Sequence, residues 1–337
     1  MMLHIFTHED ADGYAAGYLV YKWYKDKGLK ENDYKYHFMN YGKPFPFDQI
    51  NKGDLVYITD FSIEPQDLIR LHRITPFVVW IDHHISSINK YNDWYKLIQE
   101  NAQNLGFGGS QFTIDGIRMN GISGCALTYL HLYKGWSEEQ KLGQIEDMGE
   151  EETFKDAMND FEDAPLWLQL INDWDVWRHE MENTKPFMMA LNNNLCIENI
   201  TALDSVGKTL INDYVIKGRT YIEFRDKWAA QLRDKYGFES SIQTMDRMYN
   251  VYVLNVGNAN SDYFGNLLSK YDAIVSFAFN GNRYVYSMYS DKTDVNCADL
   301  CRALGRDNGG GHKGAAGFTS EELLFVKNGI TTTVLQK

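Results

Sequence analysis

The stretch Pro76–His84, PFVVWIDHH, determines the fold class and places the chemistry of this chain. Its first six residues form an apolar run with the length of a buried strand, and the run ends in an aspartate and two histidines. Adjacent histidines beside an aspartate are hard to explain structurally, whereas imidazole nitrogen and carboxylate oxygen are ligands of borderline divalent metals. The stretch therefore predicts a buried strand with metal-binding groups at its carboxyl end.

Two upstream segments have the same form. Leu3–Thr7 is a short apolar run followed by charged residues and by a helical pattern from about Tyr14 to Lys25, and Asp54–Thr59 is a second run that ends at Asp60. Strands that alternate with helices predict a parallel sheet with crossover helices. Ligands of such sheets bind at the carboxyl ends of the strands. We therefore expect an α/β fold with three charged clusters at one sheet edge.

The segment His8–Gly13, HEDADG, offers one imidazole and several carboxylates directly after the first strand. Residues two apart in an extended segment point to the same side, so His8, Asp10 and Asp12 can converge. Gly13 allows a tight turn into the following helix. A polar loop with an aspartate helix cap is the alternative.

Two further carboxylates follow a later apolar segment, in Ile171-Asn172-Asp173-Trp174-Asp175. Either Asp173 or Asp175 could reach the site. With Asp60, which alone could equally be a cap or a turn residue, the chain offers enough ligands for two metal ions about 3.5–4 Å apart. Such a pair generates hydroxide near neutral pH and stabilises charge on a phosphoryl group.

Composition limits the class of partner. The formal net charge of the 337 residues is −13, from 46 acidic and 33 basic residues, which argues against a protein that coats long nucleic acid. The four cysteines form no C-x-x-C pair. Charged residues follow the first few apolar residues of the N-terminus too closely for a signal peptide. No apolar run approaches the ~20 residues of a membrane helix. We expect a cytoplasmic protein without a membrane partner.

The pattern along the chain predicts two α/β domains. Residues 1–195 form the parallel-sheet domain with flanking helices, residues 196–240 read as a helical linker, and residues 241–337 form a smaller C-terminal α/β domain. Strand patterns in the last region are Val251–Val256, Ala273–Asn280 and Arg283–Tyr289, with an Asn280-Gly281 hairpin turn between the last two.

A glycine-rich segment, Gly309–Gly317 (GGGHKGAAG), lies in this last domain. Glycines let backbone N–H groups approach an anion closely, and His312 and Lys313 supply donors to phosphate. The segment is not a Walker A motif, because no G-K-[ST] follows at the required spacing. A flexible hinge is the alternative interpretation.

Taken together, the motifs resemble those of the DHH phosphoesterase superfamily, and more narrowly of members with the DHH-associated C-terminal domain. The motifs are, in order, THEDADG (7–13), TDFS (59–62), DHH (82–84), an aspartate after an apolar segment, and GGGHKGAAGF (309–318). The resemblance implies a DHH catalytic domain that holds two divalent ions. Mn²⁺ is favoured, and Mg²⁺ or Co²⁺ is also compatible. It also implies a DHH-associated domain that grips substrate across a cleft.

The resemblance assigns roles to individual residues. The implied metal ligands are His8 and Asp10 for one ion, Asp12, His83 and Asp173 for the other, and Asp60 as the bridge. Asp82 would orient His83, and His84 would lie beside the scissile phosphate as donor or acid. Asp82, His84 and the bridging Asp60 form the implied catalytic set.

Substrate contacts are implied at a second set of positions: Gly309, Gly310, Gly311, His312, Lys313 and Ser123. One position departs from the family, whose members often carry arginine in a Ser-x-Arg-Ser strand. The corresponding segment here is Ser287-Met288-Tyr289-Ser290. Tyr289 cannot clamp a phosphate as arginine does, but it could stack on a base.

The motif NDWDVW (172–177) is similar to the nano-RNase B type of oligoribonuclease. The implied activity is hydrolysis of very short oligonucleotides, such as nano-RNA and linear dinucleotides, to 5′ mononucleotides. A phosphodiesterase for cyclic di- or oligonucleotides is the alternative. A single-strand exonuclease, a pyrophosphatase and a catalytically silent nucleotide-binding protein rank lower. The expected partner is a small nucleotide or short oligonucleotide, and a homodimer is left open.

Overall fold

The computed structural model describes residues 1–101, 114–305 and 308–332, with the backbone alone for 97–101 and 332. The chain divides into two compact units, Met1–Arg219 and Thr220–Lys337. The division falls inside the region 196–240 that the sequence predicts as a linker. Within the described ranges, no helix is both long enough and apolar enough to cross a membrane.

The first unit contains a five-stranded sheet with the order β2-β1-β3-β4-β5, and every neighbouring pair is parallel. The α/β class predicted from the sequence is confirmed. The strands are β1 (Leu3–His8), β2 (Tyr34–Met39), β3 (Leu55–Thr59), β4 (Val78–Asp82) and β5 (Asp115–Arg118). The strand patterns in the sequence identify β1, β3 and β4, which are buried runs, but not β2, which lies at the sheet edge and carries polar residues.

Both faces of this sheet are covered by helices, so its central strands are apolar at consecutive positions. Ile5, Ile81 and Ile117 point into one core, and Phe6 and Trp80 point into the other. The helices of the first unit are α1 (Ala11–Asp26), α2 (Pro65–Ile74), α3 (Ile85–Asn101), α4 (Gly124–Lys134), α5 (Glu138–Met148), α6 (Glu150–Phe161), α7 (Leu166–Asp175), α8 (Thr184–Asn192) and α9 (Ile197–Val206).

The region predicted as a linker is helical, but its first part belongs to the core of the first unit. Ile200 and Leu203 of α9 are fully buried in that core, together with Ile211 near the start of the next helix, α10 (Lys208–Tyr236). Helix α10 continues without a break through the boundary between the two units.

The second unit contains a seven-stranded mixed sheet with the order β10-β11-β9-β8-β7-β6-β12. The Asn280-Gly281 turn joins β8 and β9 as an antiparallel hairpin, with Gly281 at φ +98°. The elements are β6 (Gly237–Gln243), β7 (Met248–Leu254), β8 (Ala273–Phe279), β9 (Tyr284–Tyr289), α11 (Cys297–Gly305), β10 (Gly309–Gly311), β11 (Ala315–Ser320) and β12 (Ile330–Thr332).

A buried histidine pair links the first two strands and makes stability depend on pH. The Nδ1 atom of His4 lies 3.0 Å from Nε2 of His37, and the His37 ring stacks on Phe6 with centroids 4.1 Å apart. Burial lowers the pKa of His37 to about 4, while the unfolded chain has the ordinary value near 6.5. The folded state therefore binds fewer protons than the unfolded state between these values. The free energy of unfolding is therefore highest above pH 6.5, where His37 is neutral in both states, and it decreases as the pH falls towards 4.

We expect His37→Phe to flatten this dependence. Between about pH 6.5 and about pH 4.5 the free energy of unfolding of the wild type should fall by roughly 2–3 kcal/mol more than that of the variant. Urea unfolding at several pH values measures the difference. The control is His312→Phe, at an exposed position, which should keep the wild-type slope. Equal slopes for wild type and His37→Phe would contradict the prediction.

Candidate metal centre

The charged residues predicted from the sequence lie at the carboxyl ends of three adjacent strands. His8 is the last residue of β1, Asp60 follows β3, and Asp82 is the last residue of β4. These strands are neighbours in the sheet. The parallel arrangement therefore brings side chains together that are more than 70 positions apart in the chain.

Seven side chains form one connected cluster of possible metal ligands. They form three overlapping groups, and within each group the ligand atoms lie within 4.8 Å of one another. The first group is His8, Asp10 and Asp60, the second is Asp12, His83 and Asp175, and the third is Asp60, His83 and His84. Asp60 and His83 each belong to two groups, so they connect the set. Imidazoles and carboxylates in this mixture are typical ligands of Zn²⁺, Mn²⁺ and similar ions.

Asp10 connects the end of β1 to the start of α1. One of its carboxylate oxygens lies 2.7 Å from Nδ1 of His8, and the other accepts the N–H of Gly13 at 2.9 Å as the helix cap. The bond to Asp10 raises the pKa of His8. A Cβ atom on Gly13 would overlap the backbone of His8, so only glycine permits this close turn.

Asp12 points from the first turn of α1 to the start of α4. It is 2% exposed, and its two oxygens accept the N–H groups of Gly124 at 2.6 Å and Cys125 at 2.9 Å. The positive end of a helix dipole stabilises a carboxylate in this position. Asp12 is thereby fixed in orientation, and each oxygen keeps a lone pair for a further ligand.

Gly124 is required by the close approach of α4 to Asp60. A Cβ atom at this position would lie 2.5 Å from Cβ of Asp60 and 2.9 Å from its Cα. We expect Gly124→Ala to push the start of α4 away from Asp60 and Asp12 and to cost about 1–3 kcal/mol of stability, as overpacking does. Stabilisation by Mn²⁺ should be lost as well. Thermal unfolding with and without Mn²⁺ measures both effects.

Gly143→Ala is the matched control. A Cβ atom at Gly143, inside α5, meets nothing within 4 Å. Alanine there should raise stability by roughly 0.5–1 kcal/mol because it has the higher helix propensity. If Gly124→Ala behaved like this control, the close packing of α4 against Asp60 would not matter for the site.

Asp60 and Asp175 contain buried carboxylate oxygens without a hydrogen-bond partner. Oδ2 of each is buried, and neither accepts a hydrogen bond in the described part of the chain. Burial, with the charges of Asp12 and Asp10 next, raises the pKa of Asp60 well above its ordinary value and that of Asp175 to about 9. Buried carboxylates that repel one another are costly unless a cation is bound between them. The donor set thus fits divalent metal ions.

The backbone of Asp60 supports the same interpretation. Its φ is +52°, in the left-handed region that residues other than glycine seldom adopt. The amide N–H of Asp60 continues the sheet by donating to Ile81 at 2.9 Å. Unfavourable backbone conformations of this kind concentrate at functional sites, where the surrounding structure holds them in place.

His83 points into the centre of the cluster. Its Nε2 lies 3.2 Å from Asp60 and 3.4 Å from Asp175, and 3.9 Å from Asp12. Burial lowers the pKa of His83. A neutral imidazole among carboxylates is the form that binds a metal ion.

Asp82 orients His84, and the prediction that it orients His83 is corrected. Oδ1 of Asp82 lies 2.7 Å from Nδ1 of His84, and Oδ2 accepts a hydrogen bond from Ser62. Burial acts to raise the pKa of Asp82, but the bonds from His84 and Ser62 outweigh it, so the pKa lies below its ordinary value. The backbone N–H groups of His83 and His84 also donate to Oδ1 of Asp82, at 2.8 Å and 3.3 Å.

Asp173 accepts hydrogen bonds from its own loop, and Asp175, which the sequence leaves open, lies in the cluster. Asp173 accepts the N–H groups of Glu180 at 2.9 Å and Met181 at 3.2 Å, and the hydroxyl of Thr184. None of the three groups of possible metal ligands among the described residues includes it. Asp175 thus lies in the cluster where the resemblance places Asp173, and a metal-ligand role for either aspartate stays a prediction.

Ser123 is the N-terminal cap of α4. It is fully buried, its hydroxyl accepts from the N–H of Ala126, and its own N–H donates to Asn172. The role of Ser123 in substrate binding stays a prediction. The sequence also gave no special role to Ser62, which lies in the TDFS motif, or to Gly124.

The glycine-rich segment of the second unit forms an edge hairpin. Strand β10 pairs with β11, and the turn at His312 and Lys313 is exposed and closed by a bond from His312 N to Ala315 O of 2.8 Å. Tyr289 pairs with Ala315 in the neighbouring strand. The two features that the sequence assigns to substrate, the turn and Tyr289, thus lie side by side, and their role remains a prediction.

Comparison with known proteins agrees with the motifs. Residues 2–154 match the model of the DHH family, N-terminal domain. This range contains β1–β5 and every cluster residue except Asp175. The match supports the resemblance inferred from the motifs for residues 2–154, while the DHH-associated C-terminal domain and the nano-RNase type remain predictions. No curated protein matches the chain.

Several solved structures are similar in fold. RecJ of Thermus thermophilus in complex with Mn²⁺ is 12% identical with a TM-score of 0.50, and the match covers 99% of this chain but 53% of RecJ. A pGpG-specific phosphodiesterase from Vibrio cholerae is 12% identical with a TM-score of 0.46, covering 95% and 94% of the two chains. An exopolyphosphatase-related protein from Bacteroides fragilis is 13% identical with a TM-score of 0.44, covering 96% and 87%. At these identities the similarity concerns the fold alone.

Proposed function

We propose that this protein is a metal-dependent phosphodiesterase that hydrolyses very short oligonucleotides to 5′ mononucleotides. The observation that carries the proposal is a pair of buried carboxylate oxygens, one on Asp60 and one on Asp175, that accept no hydrogen bond from the described residues and lie inside a cluster of imidazoles and carboxylates. The match of residues 2–154 to the DHH family supports it independently.

The cluster offers ligands for two ions. His8, Asp10 and Asp60 would hold one, and Asp12, His83 and Asp175 would hold the other. Asp60 is the best candidate for the bridging ligand, because its carboxylate lies in the first group and 3.2 Å from His83 of the second. When bound, a pair of divalent ions lowers the pKa of water and offsets negative charge on a phosphoryl group.

His84 is suited to donate a proton. Asp82 accepts the Nδ1 proton, which leaves Nε2 free to act on the substrate. The bond to Asp82 raises the pKa of His84, so a larger fraction carries a proton on both nitrogens near neutral pH. His84 would then donate to a phosphoryl oxygen or to the leaving oxygen of the ester.

Net charge and the second unit support this substrate class. The net charge of −13 disfavours long nucleic acid. The exposed turn at His312 and Lys313 offers donors to a terminal phosphate, and the neighbouring Tyr289 could stack on a base. A short substrate with one end phosphate and one or two bases fits these groups.

A hydrolysis panel with Mn²⁺ tests the proposal. It compares a linear dinucleotide, a short RNA oligomer, cyclic dinucleotides, pyrophosphate and a long single strand, with chelator as the metal-free control. We expect the linear dinucleotide and the short oligomer to react fastest and to release 5′ mononucleotides. Faster hydrolysis of a cyclic dinucleotide would favour the alternative function, and absence of hydrolysis across the panel would contradict the enzyme proposal.

A further inference from the structure

A cavity of about 690 Å³ lies in the first unit, between the loop that follows β2 and the first turns of α3. Its walls include the rings of Tyr41, Phe45 and Phe61 and, from α3, Ser86 and Lys90. We call it the Tyr41 cavity. Its volume is within the range of roughly 300–1,000 Å³ that is typical of small-molecule sites.

The Tyr41 cavity adjoins the metal cluster. The ring centroid of Tyr41 lies 5.8 Å from that of His8 and 6.1 Å from that of His84, and 4.9 Å from that of Phe61. Ser62, another wall residue, donates its hydroxyl to Asp82. A group in the cavity would therefore be next to a phosphoryl group held at the cluster.

The loop that carries Tyr41 is tied to the metal-binding segment. The side-chain amide of Asn40 donates to Glu9 at 2.5 Å, and the N–H of Glu9 donates to the carbonyl of Met39 at 3.1 Å. Although it is held in this way, Tyr41 is 53% exposed. Part of the Tyr41 ring lies near Phe61 and the imidazoles of His8 and His84. The exposed remainder of the ring is available to a ligand.

We propose that the Tyr41 cavity binds the nucleobase next to the scissile phosphate and that Tyr41 stacks on this base. This inference rests on the proposed function. A base has a flat π-face for Tyr41 and polar edge groups for the hydroxyls of Ser86 and Ser87. Aromatic stacking tolerates every base, as a site for short oligonucleotides of varied sequence requires.

The test is equilibrium binding of AMP and of ribose 5-phosphate, which carries the same phosphate without the base. Both are titrated in Mn²⁺ into the wild type, Tyr41→Ala and Tyr41→Phe. We expect Tyr41→Ala to weaken AMP binding by at least about five-fold, the lower end of what one stacked base contributes. Ribose 5-phosphate should bind all three proteins equally, and Tyr41→Phe should restore AMP binding.

Phe77→Ala is the matched control, because Phe77 is 54% exposed and does not line the cavity. It should bind both ligands as the wild type does. The inference is overturned if wild type binds AMP no more tightly than ribose 5-phosphate, or if Tyr41→Ala weakens both ligands equally.

The binding assay separates this inference from the proposed function. If the wild type hydrolyses dinucleotides but its binding does not depend on the base, the cavity assignment fails alone. If the wild type hydrolyses no member of the panel but Tyr41→Ala still loses base-dependent binding, the cavity assignment stands and the phosphodiesterase proposal fails.

Discussion

Asp60→Asn is expected to abolish metal-dependent hydrolysis and to leave the metal-free protein as stable as the wild type or more so. Asparagine keeps the shape of the side chain but replaces a carboxyl group whose charged form is disfavoured by burial and by the charges of Asp12 and Asp10. The same change removes the central ligand of the cluster. Loss of several kcal/mol of transition-state stabilisation corresponds to a decrease of about a thousand-fold or more in the rate.

Two measurements separate these effects. Saturating Mn²⁺ should raise the melting temperature of the wild type by roughly 5–10 °C, because an ion that binds only the folded state stabilises it by mass action. The melting temperature of Asp60→Asn should not change with Mn²⁺. Asp213→Asn, an exposed position on α10, serves as the control and should respond as the wild type does. Full Mn²⁺-dependent activity in Asp60→Asn would remove Asp60 from the site.

Asp173→Asn and Asp175→Asn are expected to differ in their effect on the stability of the metal-free protein. Asp173 is 5% exposed and accepts three hydrogen bonds, so its replacement should destabilise the metal-free protein by roughly 2–4 kcal/mol. Asp175 has a buried oxygen without a hydrogen-bond partner among the described residues. Its replacement should leave metal-free stability unchanged or higher, and should remove both the Mn²⁺ response and hydrolysis.

Thermal unfolding and hydrolysis of a dinucleotide, each with and without Mn²⁺, distinguish the two variants. If Asp175→Asn behaved as the wild type and Asp173→Asn lost only the metal response, Asp173 would be the metal ligand. The paired design needs no further control, because each variant carries the same substitution two residues from the other.

The choice between these two aspartates illustrates where sequence reasoning ends. Both lie in α7, and residues two apart on a helix point about 200° from each other. Only one of them can face the cluster. The rotation of α7 is set by its packing against other helices, so the sequence could name both candidates but could not choose between them.

The Asp82-His83-His84 triplet illustrates the same limit at shorter range. An apolar run that ends in these residues is a local pattern, so the sequence located both the strand and the cluster. The partner of Asp82 depends on how the backbone turns between β4 and α3. In the structure the imidazole of His84 contacts Asp82, whereas the resemblance implies that Asp82 orients His83. His83 lies in the cluster.

The sequence by itself determined the parallel sheet, the strand ends that carry the charged residues and the two-part organisation of the chain. These features are encoded in runs and alternations of neighbouring residues, which local geometry translates into strands and helices. Only the tertiary structure decided which carboxylates are satisfied and which are not. Asp12 receives its hydrogen bonds from Gly124 and Cys125, more than 110 positions away, while Oδ2 of Asp60 receives none within the described ranges. Partners so distant in sequence meet only when the chain is folded.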